Sequence, residues 1–277
     1  MAKYISAELY KVAHRKYPYG FLAVILGGIA LVFLMIRWED RLETVWVVGF
    51  SDMVSGLTIL LTTGLYLVLC TCDMVFSEQY KHNTLKNEVS FGLPRSRIYL
   101  GKLFTAMLLS VVLCAVIIAF YLGLAAVIFP KSEEMWAAWG YASWQEAVDR
   151  GIYSVSASLL RLAKVLLMAF PLWLGGLCFV YMLQVALKSS TVAVVVYVVV
   201  LLQGSGFLEL FRVILPKLQP LYRMLMVCHL MTPFNQLFSN KPSDLSQLTL
   251  YAWVLGLAWA VVSTAVGLWV FRKREIS

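Results

Sequence analysis

The sequence predicts an all-α integral membrane protein with six transmembrane helices, and three observations predict it. Of its 277 residues 61% are hydrophobic and only 14% charged, with a mean hydropathy of +0.80, far from the composition of a water-soluble domain. The apolar residues gather in runs of about 20, the length a helix needs to cross the hydrocarbon layer. Charges fall between the runs, and because backbone polar groups in lipid must be paired within the segment, the runs are helices.

Taken in order, residues 1–18 form an amphipathic interfacial helix. Helical spacing gathers Ile5, Leu9, Val12 and Ala13 on one face and Lys3, Lys11 and His14 on the other. The six spans follow at about 19–36, 52–76, 98–129, 165–187, 191–207 and 248–271. The first run is too long for a signal-peptide core and has no small-residue cleavage site after it, so it stays as a span. The fifth contains VAVVVYVVVLL, whose β-branched residues favour strands, but membrane setting and length favour a helix. Between the fourth and fifth runs lies only a short basic link. The loop 130–164 carries Trp136, Trp139, Tyr141 and Trp144, which read as an interfacial anchor or a substrate guide. Residues 206–247 are apolar but broken by Pro216, Pro220 and Pro233, and read as a re-entrant or surface-lying helical hairpin.

Charge sets the expected orientation. With both termini cytoplasmic, the inner segments hold thirteen Lys and Arg against four acids, a net of +9, while the outer segments are balanced. The overall +8 is thus topological, and nucleic acid is not expected as a partner. Membrane lipid is.

The second span carries Ser55, Thr58, Thr62, Tyr66, Cys70 and Asp73 at intervals of three and four, on one helix face. That face either lines a substrate route, with Tyr197 of the fifth span opposite, or ties neighbouring spans together by hydroxyl hydrogen bonds. An ionisable group near the membrane needs a partner, and for Asp73 the basic candidates are Arg15 and Lys16. The last span offers Gly256, Ala260, Ser263, Thr264 and Gly267 for close helix packing. Pro171, Gly175 and Gly176 mark a bend or structural accommodation in the fourth.

Catalytic and metal signatures are missing from the sequence. His14, His82 and His229 lie on separate segments, and Cys70 and Cys72 point to different helix faces. The scattered cysteines suggest no disulfide framework. There is no GxxxxGK[ST] loop. The chain is therefore expected to be no enzyme, to bind no cofactor or metal, and to take any ATP-derived energy from another polypeptide.

The compact insert FSEQYKHNTLKNEVSFGLPRSRIYLGK, residues 76–102, remains to be explained. Asn83 or Thr84 can cap a short helix, Leu85 and Val89 fall on one of its faces, and Gly92 with Leu93 and Pro94 stops it. Charges alternate in sign around Tyr80, Leu85, Val89 and Phe91, which suits a protein groove better than a lipid surface.

This segment resembles the one after the second span in permeases of the type-2 ATP-binding-cassette (ABC) exporter family. There an acidic residue and a TLK-like turn precede a Pro/Arg turn and a lysine that opens the third span. The six spans, amphipathic amino-terminal helix and re-entrant segment before the last span are similar too. Among such permeases the chain is most similar to those of bacterial systems that export peptides or confer immunity to antimicrobial peptides.

The resemblance implies one permease domain over 1–277, with an interfacial helix at 1–18, a cytoplasmic coupling segment at 77–97, an outer loop at 130–164 and an outer re-entrant segment at 206–247. It implies that Glu78, Tyr80, Lys81, Thr84, Leu85, Lys86, Val89 and Arg95 meet an ABC ATPase subunit, present in two copies and carrying the ATP and Mg. Leu85 and Val89 would pack in its groove, Arg95 and Lys102 would hold the third span at the inner surface, and Arg15 or Lys16 would brace the unit through Asp73 or Glu78. A second permease, the same chain or a homologue, would complete the pathway in the bacterial plasma membrane. The alternative class is a non-transporting immunity or scaffold protein that binds a ligand on its outer surface.

Overall fold

The computed structural model describes residues 2–42, 48–81, 88, 90, 92–131, 133, 135–136, 140–149, 153–214, 219–238 and 244–273. Among these it is helical, with no strand. The helices are α1 (Ala2–Ala13), α2 (Lys16–Leu42), α3 (Phe50–Leu60), α4 (Gly64–Lys81), α5 (Arg95–Ile128), α6 (Trp144–Asp149), α7 (Val155–Leu187), α8 (Ser190–Ile214), α9 (Gln219–Val227), α10 (Thr232–Leu237) and α11 (Leu245–Lys273). Five stretches are long and apolar enough to cross a membrane: Lys16–Glu39, Phe50–Phe76, Arg95–Ile128, Val155–Leu187 and Leu245–Lys273. The apolar part of α8, Ser190–Gln203, is shorter.

Two compact units divide the described chain. The first contains Met1–His14, Thr62–Ser110 and Met168–Ser277, and the second Arg15–Leu61 and Val111–Leu167. In the second, Phe33 is 1% exposed and meets the rings of Tyr121 and Phe129 edge-on at 4.7 and 5.6 Å. Tyr121 donates its hydroxyl to the Met53 carbonyl at 2.9 Å. A buried phenol needs such a partner.

In the first unit the helices approach through small residues. An added Cβ on Gly256 of α11 would overlap the Pro171 carbonyl of α7, and one on Gly267 would overlap the Tyr99 hydroxyl of α5. Gly256, Ala260, Ser263 and Gly267 are buried on α11, so the small face read from sequence is a packing face.

Several boundaries move. The helix of the first span begins at Lys16, with Pro18 in its first turn, where a missing N–H leaves no bond unmade. A 3-10 turn at Leu61–Thr63 interrupts the second span, and the Gly64 that follows lies where a side chain would overlap the Trp173 ring. The fourth span's helix starts ten residues before the expected 165. Its first turn is capped by the Ser154 hydroxyl, which accepts the Ala157 N–H at 3.2 Å. Arg161 and Lys164, read as loop charges, therefore lie on helix, and Arg161 covers the Tyr153 ring at 5.4 Å. The expected short helix of the insert falls largely outside the described residues. Gly92, read from the sequence as its stop, has φ +80°, a left-handed conformation that favours glycine.

Candidate functional site

Three segments converge on one buried cation. Lys102, seven residues into α5, has a side chain 1% exposed. Its Nζ donates to Glu88 Oε1 of the insert at 3.1 Å and to Glu8 Oε2 of α1 at 3.5 Å. Lys11 closes the cluster from the solvent side, with Nζ 2.5 Å from Glu8 Oε1 and 3.6 Å from Glu88 Oε1. Tyr4 donates its hydroxyl to Glu88 Oε2 at 2.8 Å.

The local sequence explains the convergence. Tyr4, Glu8 and Lys11 are spaced i, i+4, i+7 on α1, which places them on one face. Val12 is buried beside them, Ile5 and Leu9 are half-buried, and Ala13 is exposed. The face that α1 buries is thus the expected apolar one rotated to include a carboxylate. On α5, Gly101 leaves the space that the Tyr4 ring occupies, since a Cβ there would overlap it. The ring centroid lies 6.0 Å from Lys102 Nζ, at the edge of cation–π range.

Two lysines answer two glutamates, so the cluster is formally neutral, which is what makes its burial tolerable. Burial, with the negative charges of Glu8 and Glu88 and the bond to Glu88, pushes the Tyr4 hydroxyl far above the ordinary phenol range. For Lys11, burial pulls downward, but the hydrogen bond and charge of Glu8 and those of Glu88 outweigh it and hold the ammonium above its usual value. Chemically the site is a clamp. It fixes the insert, α1 and α5 to one another.

The remaining site residues separate into three groups. Arg95 donates from Nη1 to the Arg272 carbonyl at 3.0 Å, a cation satisfying the open carbonyl end of α11. Glu78, Tyr80 and Lys81 belong to the last turn of α4, but their side chains, like Thr84, Leu85, Lys86 and Val89 altogether, lie outside the described residues.

Along the second span, Ser55 donates to the Ser51 carbonyl at 2.9 Å and Thr58 to the Ser55 carbonyl at 2.6 Å, bonds within the helix itself. Thr62 and Tyr66 are half-buried. Tyr197 is fully buried and donates to the Leu65 carbonyl at 2.9 Å; it ties α8 to α4. Thr71 and Ser110 share a 2.5 Å hydroxyl bond between α4 and α5.

Asp73 was expected to meet Arg15 or Lys16. The structure gives it the Ser190 hydroxyl as donor, at the first residue of α8, where the helix dipole also favours an anion. Gln184 Nε2 in turn donates to Ser190 Oγ at 3.3 Å. Arg15 is half-buried and Lys16 exposed.

Sequence reading passed over Glu8 and Glu88 as the partners of Lys102. The one signal for Glu8 was its position in line with Tyr4 and Val12 on a helix whose other buried residues are apolar. No group of three or more His, Cys, Asp or Glu among the described residues could hold a metal ion. No protein-family model matches the chain, and no curated protein sequence matches it.

Proposed function

We propose that the chain is the membrane-spanning permease subunit of an ATP-driven exporter. It crosses the bacterial plasma membrane six times, α8 supplying the fifth crossing, with both termini in the cytoplasm. Its cargo is an amphipathic or hydrophobic molecule, most readily a peptide. An ATPase subunit in two copies docks on the insert between the second and third spans and supplies ATP and Mg, and a second permease completes the pathway.

The observation that carries this reading is the clamp. An ordinary connecting loop is solvated and loosely held, whereas this insert has its Glu88 fixed by a buried lysine of the following span and by Tyr4 of the amino-terminal helix. Such anchoring suits a segment that must transmit a push from outside the membrane to the spans. The net-positive flanks of the spans support the orientation.

The test is purification of the tagged chain from its own membrane in mild detergent, with and without nucleotide. A P-loop ATPase retained in stoichiometric amount, and lost on Leu85→Glu while the chain stays folded, is the expected result. A folded chain that brings no ATPase under either condition overturns it and favours a non-transporting membrane scaffold. Cysteine substitutions along Ser55, Thr58, Thr62 and Tyr66 that never react with aqueous thiol reagents would remove the second span from the pathway.

A further inference from the structure

The turn between α9 and α10 is held by two backbone bonds, from the His229 N–H to the Met226 carbonyl at 3.3 Å and from the Thr232 N–H to the His229 carbonyl at 3.0 Å, and by side chains. The last carbonyls of α9 and the residue after it are each taken by a side-chain donor. Thr232 donates to Met226 at 2.6 Å, Tyr251 of α11 to Val227, and the Trp259 indole of α11 to Cys228 at 2.7 Å. His229 follows at once and is half-buried. Its Nδ1 accepts the Met231 backbone N–H at 3.3 Å, and its Nε2 lies 3.0 Å from the Val200 carbonyl in the middle of α8.

These two contacts fix the imidazole's state. A ring nitrogen that accepts an N–H carries no proton, so Nδ1 is bare and the single ring proton is on Nε2, donated to Val200. The neutral tautomer satisfies both contacts, and the imidazolium cannot. A proton on Nδ1 would point at the Met231 N–H, setting donor against donor and releasing a backbone group that the turn otherwise pairs.

We propose that His229 is a proton-sensitive pin: neutral, it fastens the 226–232 turn to α8, and on protonation it lets that turn open. Among the described residues no carboxylate bonds the ring; the acids nearest in sequence on the packed elements are Glu209 of α8 and Asp244 before α11. α9 carries Tyr222 and Arg223, the turn carries Cys228, α11 contributes Tyr251, and α10 has no titratable residue; α8 faces the ring with the Val200 carbonyl. Charging the ring costs the turn its Met231 bond, so the pin releases as the imidazole takes up a proton. The inference is independent of what, if anything, the chain transports.

Amide hydrogen exchange of the purified full chain, read on peptides covering 226–234 and corrected for the intrinsic pH dependence of exchange, tests it. For opening linked to one proton, protection falls by up to about tenfold per pH unit once the imidazole charges. The wild type should therefore lose about tenfold or more in protection between pH 7.5 and pH 5, while α11 stays unchanged. His229→Gln, which keeps an amide donor and cannot titrate, should show the same protection at both pH values. A wild type with constant protection over that range overturns the proposal, even if the variant fails to fold. So does a His229→Gln protein that loses protection as the wild type does.

Discussion

Replacing Lys102 with methionine keeps the length of the side chain and removes its charge. The two carboxylates it answers are 4% and 14% exposed, so each would be left with a desolvation cost that water cannot repay. Deleting one partner of a buried ion pair costs about 3–5 kcal/mol. Lys11, 52% exposed, still answers Glu8 at 2.5 Å and, more weakly, Glu88 at 3.6 Å, which places Lys102→Met at the lower end, about 3 kcal/mol. In a protein of this size each kcal/mol moves Tm by about 2–4 °C, so the expected fall is about 6–12 °C. Thermal unfolding of wild type and variant in one detergent at pH 7 measures it. The triple variant Glu8→Gln, Lys102→Met, Glu88→Gln buries no charge and should recover about half of the loss or more. A single variant within 2 °C of wild type, or a triple variant no better than the single, would refute the view that the cluster's cost lies in unpaired buried charge.

Alkali should loosen α1. Tyr4 and Lys11 both have pKa values raised in the folded protein, so the stability they contribute is fully present below their ordinary values near pH 10 and is lost as pH rises beyond. Tm measured from pH 9 upward should begin to drop near pH 10, and Tyr4→Phe should remove part of that drop. Gly256→Ala forces a methyl into the Pro171 carbonyl and should cost about 1–3 kcal/mol. Gly28→Ala, in the interior of α2 with nothing within 4 Å of the new methyl, should stabilise by about 0.5–1 kcal/mol; the two together, read by Tm, separate contact from propensity. Aqueous maleimide should modify Cys228, which is exposed, and leave Cys72 and Cys178, which are buried, untouched until the protein is denatured; mass spectrometry of the labelled peptides decides it.

What the sequence made legible was whatever a local rule governs. Runs of about 20 apolar residues mark spans because the bilayer fixes their length, and Gly92, read as a stop, has a left-handed φ that favours glycine. The small residues of α11 announced a packing face for the same kind of reason: only Gly admits the Pro171 carbonyl and the Tyr99 hydroxyl. The longer start of α7 was readable in part, since Ser154 is a good helix cap, but Arg161 and Lys164 argued for a loop. Both lie on helix, and Arg161 places its guanidinium over the Tyr153 ring. The 3-10 turn at Leu61–Thr63 has no comparable local mark. Least legible was the clamp, whose Glu8 and Lys102 stand 94 residues apart. No periodicity within α1 or α5 encodes a pairing of that range.

A buried charge cluster is a poor way to gain stability, because the desolvation of four ions offsets most of their attraction and an apolar core of the same shape would hold as well. What it supplies is a position. The apolar face of α1 is a short stripe, Ile5, Leu9 and Val12, that could rest on a neighbour in more than one register a turn apart, but Glu8 meets Lys102 in only one. On α5, Arg95, Tyr99 and Lys102 are spaced i, i+4, i+7 and share a face. Arg95 seizes the end of α11. The Tyr99 ring rests against Gly267 of α11, while its carbonyl accepts the Tyr181 hydroxyl of α7 at 3.3 Å. Lys102 takes α1 and the insert. Within its first two turns α5 therefore touches each of α1, α7, α11 and the insert, and α11 twice. A displacement of the insert that preserves the Glu88 to Lys102 bond must carry these turns with it, and a displacement that does not must first separate two buried ions.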